Sequence, residues 1–234
     1  MLLLAWIAVP AHADDREDAQ YAQQCPGFAA WKKAHPELSK KNQAKRIAAG
    51  KPSEPKLRQQ LLRMVKVDQA ARDAWIKVGM KTGQGGEAAV KHLLAVDAAN
   101  QVKLKPIIKH QGFPTPSQVG MDGVEAAFLL VQHADRDPAF QLSVLPQLVT
   151  LHQQGLISGQ DLAMLIDRTL RGQGKPQRYG TQFISNDSHP EMKLQPVEDI
   201  SALDARRAGM GMPPLADYAC ILSMAYHKPV RLEP

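Results

Sequence analysis

Cysteine is scarce in this 234-residue chain, with only Cys25 and Cys220 present. Neither sits in a CxxC pair or at metal-type spacing, which argues against a redox motif or a zinc site. Aromatic residues make up only 5% of the chain. No apolar run approaches the roughly 20 residues that a membrane-spanning helix needs. The apolar–polar alternation of half-buried strands is nearly missing. There is no GxSxG nucleophile elbow and no GxxxxGK[ST] phosphate loop, so two common sources of hydrolytic and nucleotide chemistry have no signal here.

At the start, Leu2–Val9 is apolar, Pro10 breaks the run, and Ala11-His12-Ala13 follows as a small-x-small cleavage site. This reads as a secretory signal peptide over residues 1–13, although no Lys or Arg precedes the run. The expectation is a periplasmic or secreted protein with no membrane insertion after cleavage. In that oxidising setting an even cysteine count points to a Cys25–Cys220 disulfide, with two unpaired thiols as the alternative. Net charge is +6, and positive residues gather in Lys32–Arg46 and Arg168–Arg178. A basic surface can meet nucleic acid, anionic lipid or cell-wall polymer. Export makes nucleic acid the less natural partner, and a solvated charged face is the favoured account of the N-terminal run.

Residues 14–56 read as an N-terminal extension with a linker at Gly50-Lys51-Pro52-Ser53-Glu54-Pro55, and a helix is expected through Ala19–His35. From Leu57 the period is helical. One helix carries Leu57, Leu61, Met64, Val65 and Trp75, and a second runs over Glu87–His110 with a kink or break expected near Lys105, before Pro106. Gly112–Gly123 reads as a loop and Val124–Asp135 as a short helix. Asp137-Pro138 is an N-cap pair for a helix to about Gln154. Ser158–Asp161 opens another helix. Residues 172–199 look irregular, with a short strand at Thr181–Ser185, and two helices close the chain over Ile200–Ala208 and Leu215–Tyr226. The fold class is mainly α: a single multi-helix globular domain with irregular loops over residues 57–234.

Several helices carry polar residues along an apolar stripe. Asp68 and Arg72 continue Leu61 and Val65, four residues apart and able to pair. Asp97 and Asn100 continue Leu93, and His133 follows Leu129 and Leu130. Burying such groups costs free energy unless partners satisfy them. One explanation is that they meet around a shared polar interior. Another is that each is exposed or forms an isolated structural ion pair.

His133-Ala-Asp135-Arg-Asp137 is the densest catalytic-looking cluster. His133 can act as general acid or base with Asp135 or Asp97 orienting its ring. A metal site would need His133, Asp135 and Asp137 on one side, but alternate residues in a helical turn do not share a face. No metal or other cofactor is therefore assigned. His110 ends a helix, where the dipole alone favours histidine. Its functional reading is as the second imidazole, facing His133. The loop around Gly174–Gln182 packs amide, guanidinium, phenol and hydroxyl groups together. Gln177, Arg178, Tyr179, Thr181 and Gln182, with Arg168 and the Asp68–Arg72 pair, are candidates for holding a small polar or anionic ligand. A structural turn with internally satisfied side chains is the alternative.

The segments LRQQLLRMVKVDQAAR (57–72), VDAANQVKLKPIIKHQGFPTPSQVG (96–120), AAFLLVQHADRDPAFQ (126–141), LIDRTL (165–170) and GKPQRYGTQF (174–183) resemble a bacterial domain family of unknown function. The family carries HGWPT-, LVQHAD- and YGTQ-like motifs, and the resemblance spans about residues 57–220. Gln111-Gly112-Phe113 stands where the family has His-Gly-Trp. The resemblance implies a helical domain with a shared polar site and implies no activity.

The sequence therefore supports an exported, metal-independent hydrolase or transferase using histidine acid–base chemistry. The alternatives are a non-catalytic periplasmic binding module and an interbacterial effector or its inhibitor. Oligomeric state is not encoded in any feature above.

Overall fold

The computed structural model describes residues 23–36, 51–186 and 189–233. The segment read as a signal peptide, residues 1–13, lies outside these residues. Each helix begins where local chemistry allows. Pro26, Pro55, Pro116 and Pro138 each occupy the first turn of a helix, where the missing amide is not needed. Asp137 accepts a hydrogen bond from the Phe140 amide at 3.0 Å, and Ser158 Oγ accepts one from the Asp161 amide at 3.0 Å. The resulting helices are α1 (Pro26–Ala34), α2 (Pro55–Lys77), α3 (Glu87–Gln111), α4 (Pro116–Gln132), α5 (Pro138–Gln153), α6 (Gly159–Gly172), α7 (Leu203–Gly209) and α8 (Leu215–Tyr226). A 3-10 turn at Ile200–Ala202 precedes α7. The architecture is mainly α, as the periodicity predicts.

Three details depart from the sequence reading. The helix expected to start at Val124 starts at Pro116, inside the expected loop. Thr115 and Gln118 form a reciprocal capping box there, and the helix bends at Gly120, whose φ of 73° suits glycine. The second helix keeps its expected span and runs through Pro106 without the break that is one of the two expectations near Lys105. Proline denies a donor to the Val102 carbonyl, and Val102 is 75% exposed, so water can take that acceptor. The single expected strand is a three-stranded sheet: β1 (Phe183–Asn186) pairs antiparallel with β2 (His189–Leu194), which pairs parallel with β3 (Val230–Arg231). These strands are too short to show a clear alternation.

The chain forms two compact units, with the division after Leu165 inside α6. In the unit ending at Leu165, the core is built from Leu61 and Met64 of α2, Leu93 and Leu104 of α3, Val124 and Phe128 of α4, and Val144 and Leu148 of α5. Arg58 of α2 holds Asp122 of α4 through Nε at 2.9 Å. In the other unit, Phe183, Met192, Leu203, Tyr218 and Leu222 form the interior. There α1 is tied to α8 by the Cys25–Cys220 disulfide, with Cα atoms 5.9 Å apart. Among the described residues, no helix is long and apolar enough to cross a membrane.

Candidate functional site

Helices α2, α3 and α4 pack together, and their polar interruptions meet. Asp68 is fully buried, His133 is 5% exposed and Asp97 is 7% exposed. Arg72, one helical turn after Asp68, links them. Its Nη2 donates to Asp97 Oδ1 at 3.0 Å and lies 3.6 Å from Asp68 Oδ1, and its Nε lies 2.9 Å from His133 Nδ1. Asp68 Oδ2 stands 2.8 Å from the same His133 nitrogen and also accepts from Gln69 Nε2 at 2.8 Å.

That geometry places a proton in question. His133 Nδ1 cannot accept from Arg72 and donate to Asp68 at once. A carboxylate is the stronger attraction for a proton on Nδ1, and Arg72 already has Asp97. With Nδ1–H donated to Asp68, Nε2 becomes the ring's variable position. Charge counting leads the same way: two carboxylates face one guanidinium, so one further proton brings the group to neutrality.

The carboxyls are unequal hosts for it. Burial pushes the Asp97 pKa up to about 7, with Asp68 and Asp135 adding repulsion and Arg72 opposing the rise. Burial also works against ionised Asp68, but the charge and hydrogen bond of His133, with Arg72 and Gln69, hold its pKa below the usual carboxylate value. Two buried carboxyls in one cluster are thus pushed apart, the arrangement that separates a permanent anion from a proton carrier.

His133 is held by the end of its helix. It is the C-cap of α4, and Gln141 of α5 donates to the carbonyls of Val131 at 3.2 Å and Gln132 at 2.9 Å. Those carbonyls lie in a helix's last turn and need outside donors. Gln141 and Gln69 had no sequence signal for this role. Asn100 had one: it interrupts the same stripe as Asp97. It is 6% exposed, and its Nδ2 has no hydrogen-bond partner among the described residues; nor has Asp68 Oδ1. A buried donor one helical turn after Asp97 and a buried acceptor on Asp68 suit small polar groups.

The other expected site residues fall elsewhere. His110 is exposed in the last turn of α3, 13 residues beyond Asp97, or about 20 Å along the helix. It does not face His133, so the two-imidazole arrangement is corrected to one imidazole among carboxylates. Asp135 is exposed, and its charge acts on Asp97. Asp137 caps α5 and pairs with Lys105. Among the described residues, no three His, Cys, Asp or Glu side chains are gathered as for a metal.

Arg168 and the 177–182 loop belong to the other unit. There Asp167, fully buried, organises the loop. It accepts from the amides of Arg178 at 2.7 Å, Tyr179 at 2.9 Å and Thr181 at 3.0 Å, and from Thr181 Oγ1 at 2.8 Å. Gln177 donates to the carbonyls of Gln182 at 3.0 Å and Gln195 at 2.8 Å and accepts from the Gln182 amide. Gln182 Nε2 donates to Thr181 Oγ1 at 2.7 Å. Gln177 and Thr181, expected to bind substrate, therefore hold the loop's own shape. Gly180, with φ of 66°, packs where a Cβ would come within 3.1 Å of Leu203. Arg168 is buried in α6, while the Arg178 side chain is 54% exposed beside Glu198 and Tyr179 is half-buried.

No curated protein and no solved structure matches the chain. A family model described as "Family of unknown function (DUF6624)" matches residues 55–231, a span that includes both the carboxylate–histidine cluster and the Asp167 loop. The chain belongs to this family of unknown function.

Proposed function

We propose that this is an exported hydrolase or transferase in which His133 is the general acid–base and Asp68 the residue that fixes its ring. The observation that carries this reading is the 2.8 Å contact between His133 Nδ1 and Asp68 Oδ2 in a buried setting. A carboxylate on one ring nitrogen sets the tautomer and leaves the other nitrogen to move protons. Asp97, poised near neutrality, is the proton reservoir beside it. Arg72 keeps the two carboxylates in place and balances their charge. Asn100 Nδ2 and Asp68 Oδ1 are the atoms offered to a polar part of the substrate or to an attacking water. Export is supported by the N-terminal apolar run and by the Cys25–Cys220 bridge, since disulfides persist in oxidising compartments.

The test is turnover by the purified chain on a panel of activated esters, phosphodiesters and peptidoglycan fragments, with His133→Ala alongside. Loss of turnover by a variant with unchanged circular dichroism supports the assignment. Full activity in that variant removes it.

A second reading, a binding module without chemistry, is favoured by the same Asn100 and Asp68 atoms, which also suit a captured polar ligand. It differs in outcome: a ligand from the panel raises the melting temperature and is recovered unaltered.

A further inference from the structure

In the unit containing the disulfide, Arg207 is fully buried, with no counter-ion in contact among the described residues. Its Nε donates to the Pro213 carbonyl at 2.7 Å and its Nη1 to the Tyr179 carbonyl at 2.7 Å. Its guanidinium lies over the Tyr218 ring, 4.9 Å from the centroid. Both carbonyl partners are neutral. Asp167, the nearby buried carboxylate, is already saturated by the loop and reaches Arg207 only through its field, as does Asp204. Two donor groups remain at this spot: Arg207 Nη2 and the Tyr218 hydroxyl, which is on a 1% exposed residue. Neither has a hydrogen-bond partner among the described residues. The charge of Arg168, also buried, is felt at the Tyr218 hydroxyl as well.

A fully buried guanidinium without an opposite charge in contact is costly, and carbonyl dipoles and the more distant carboxylates offset only part of that cost. Two unpartnered donors beside a positive charge that no carboxylate contacts suit an acceptor that is itself negative. We propose that Arg207 and Tyr218 form an internal binding site for a small monovalent anion, of which chloride is the representative. The depth of both side chains favours a compact ion over a phosphate or an organic acid. The anion accepts from Arg207 Nη2 and the Tyr218 hydroxyl and neutralises the guanidinium. It thereby helps hold the Tyr179 carbonyl, and with it the 177–182 loop. This site is independent of the proposed acid–base cluster.

The experiment measures melting temperature of the full chain in sodium chloride and in sodium gluconate at equal ionic strength, for the wild type and Tyr218→Phe. Saturating chloride should raise the wild-type value by about 3 °C or more over gluconate, as expected for a ligand that binds only the folded state. Tyr218→Phe keeps the ring over Arg207 but removes one donor, so the chloride effect should fall to near zero. Equal wild-type melting in both salts would mean that a water fills the position, and the proposal fails. A chloride effect that survives in Tyr218→Phe would place the anion elsewhere, and the proposal fails again. Should the variant not fold, bromide-soaked crystals of the wild type decide: anomalous density between Arg207 and Tyr218 supports the site, and its absence there refutes it.

Discussion

His133 Nδ1 and Asp68 Oδ2 lie 2.8 Å apart, with Asp68 fully buried and His133 nearly so. The pair joins α2 to the end of α4, so it fixes structure as well as protonation. Removing one partner leaves the other buried and uncompensated, which typically costs about 3 to 5 kcal/mol. Asp68→Asn should therefore lower stability in urea by that order. Combined with His133→Gln, the loss should fall short of the sum of the single losses by more than about 1 kcal/mol. Strict additivity would show that the two side chains do not interact in solution.

Asp97 gives the protein a signature in pH. Its pKa is about 7 when folded, against 3.8 for the unperturbed group. Over that interval the folded chain holds a proton that the unfolded chain has released. Asp97's favourable contribution is thus complete below the unfolded value and is lost as pH rises towards 7 and beyond. The full effect is at most about 4 kcal/mol. Asp68, with a lowered pKa, has the opposite sense: its contribution is present above the unfolded value and lost on acidification. Asp97→Asn imitates the protonated form. Its melting temperature should vary less than that of the wild type between pH 5 and 8, in about that window, and should exceed the wild type at the alkaline end. An unchanged slope would mean that Asp97 is ionised throughout.

The convergence of Asp68, Arg72, Asp97 and His133 was legible because each breaks an apolar stripe, and stripe breaks on packed helices have few places to go. Periodicity could not separate His110 from them. A histidine in the last turn of a helix looks the same whether it lines a cleft or faces water, and the length of α3 carries it away. Gln141 was invisible for a different reason. Its task is to satisfy the carbonyls of Val131 and Gln132, which depends on where α5 lies against the end of α4. The Gly174–Gln182 loop was recognisable by its donors, but their use was not. Asp167 sits in an ordinary helical stretch, and only the fold shows that the loop's amides close on it. The capping box at Thr115 and Gln118 was present in the sequence, but the surrounding Gly and Pro residues masked it.

Asp167 should control the order of the 177–182 loop. Burial raises its pKa, while the amides of Thr181, Tyr179 and Arg178 pull it back. A hydrogen bond to a charged group contributes roughly 1.5 to 3 kcal/mol. Asp167→Asn keeps one acceptor oxygen and loses the other with the charge. Amide exchange at Tyr179 and Thr181 should accelerate about tenfold or more, while amides of α2 and α3 stay protected. Unaltered exchange at both loop positions would show that backbone packing alone shapes the turn.

The Cys25–Cys220 bridge spans 195 residues of sequence. Closing so long a loop removes much of the unfolded chain's freedom, about 5 kcal/mol in the chain-entropy description. Removing a native disulfide costs about 2 to 5 kcal/mol in practice. Cys25 is buried and Cys220 is half-buried, so a small phosphine reductant should meet the Cys220 sulfur first. Reduction, or paired Cys25→Ala and Cys220→Ala substitution, should lower the melting temperature. It should also deprotect α1 before any other described helix, because α1 contributes no buried residue of its own and is held through Cys25. A reduced protein that melts with the oxidised one would mean that the tether restrains nothing the folded contacts do not already hold.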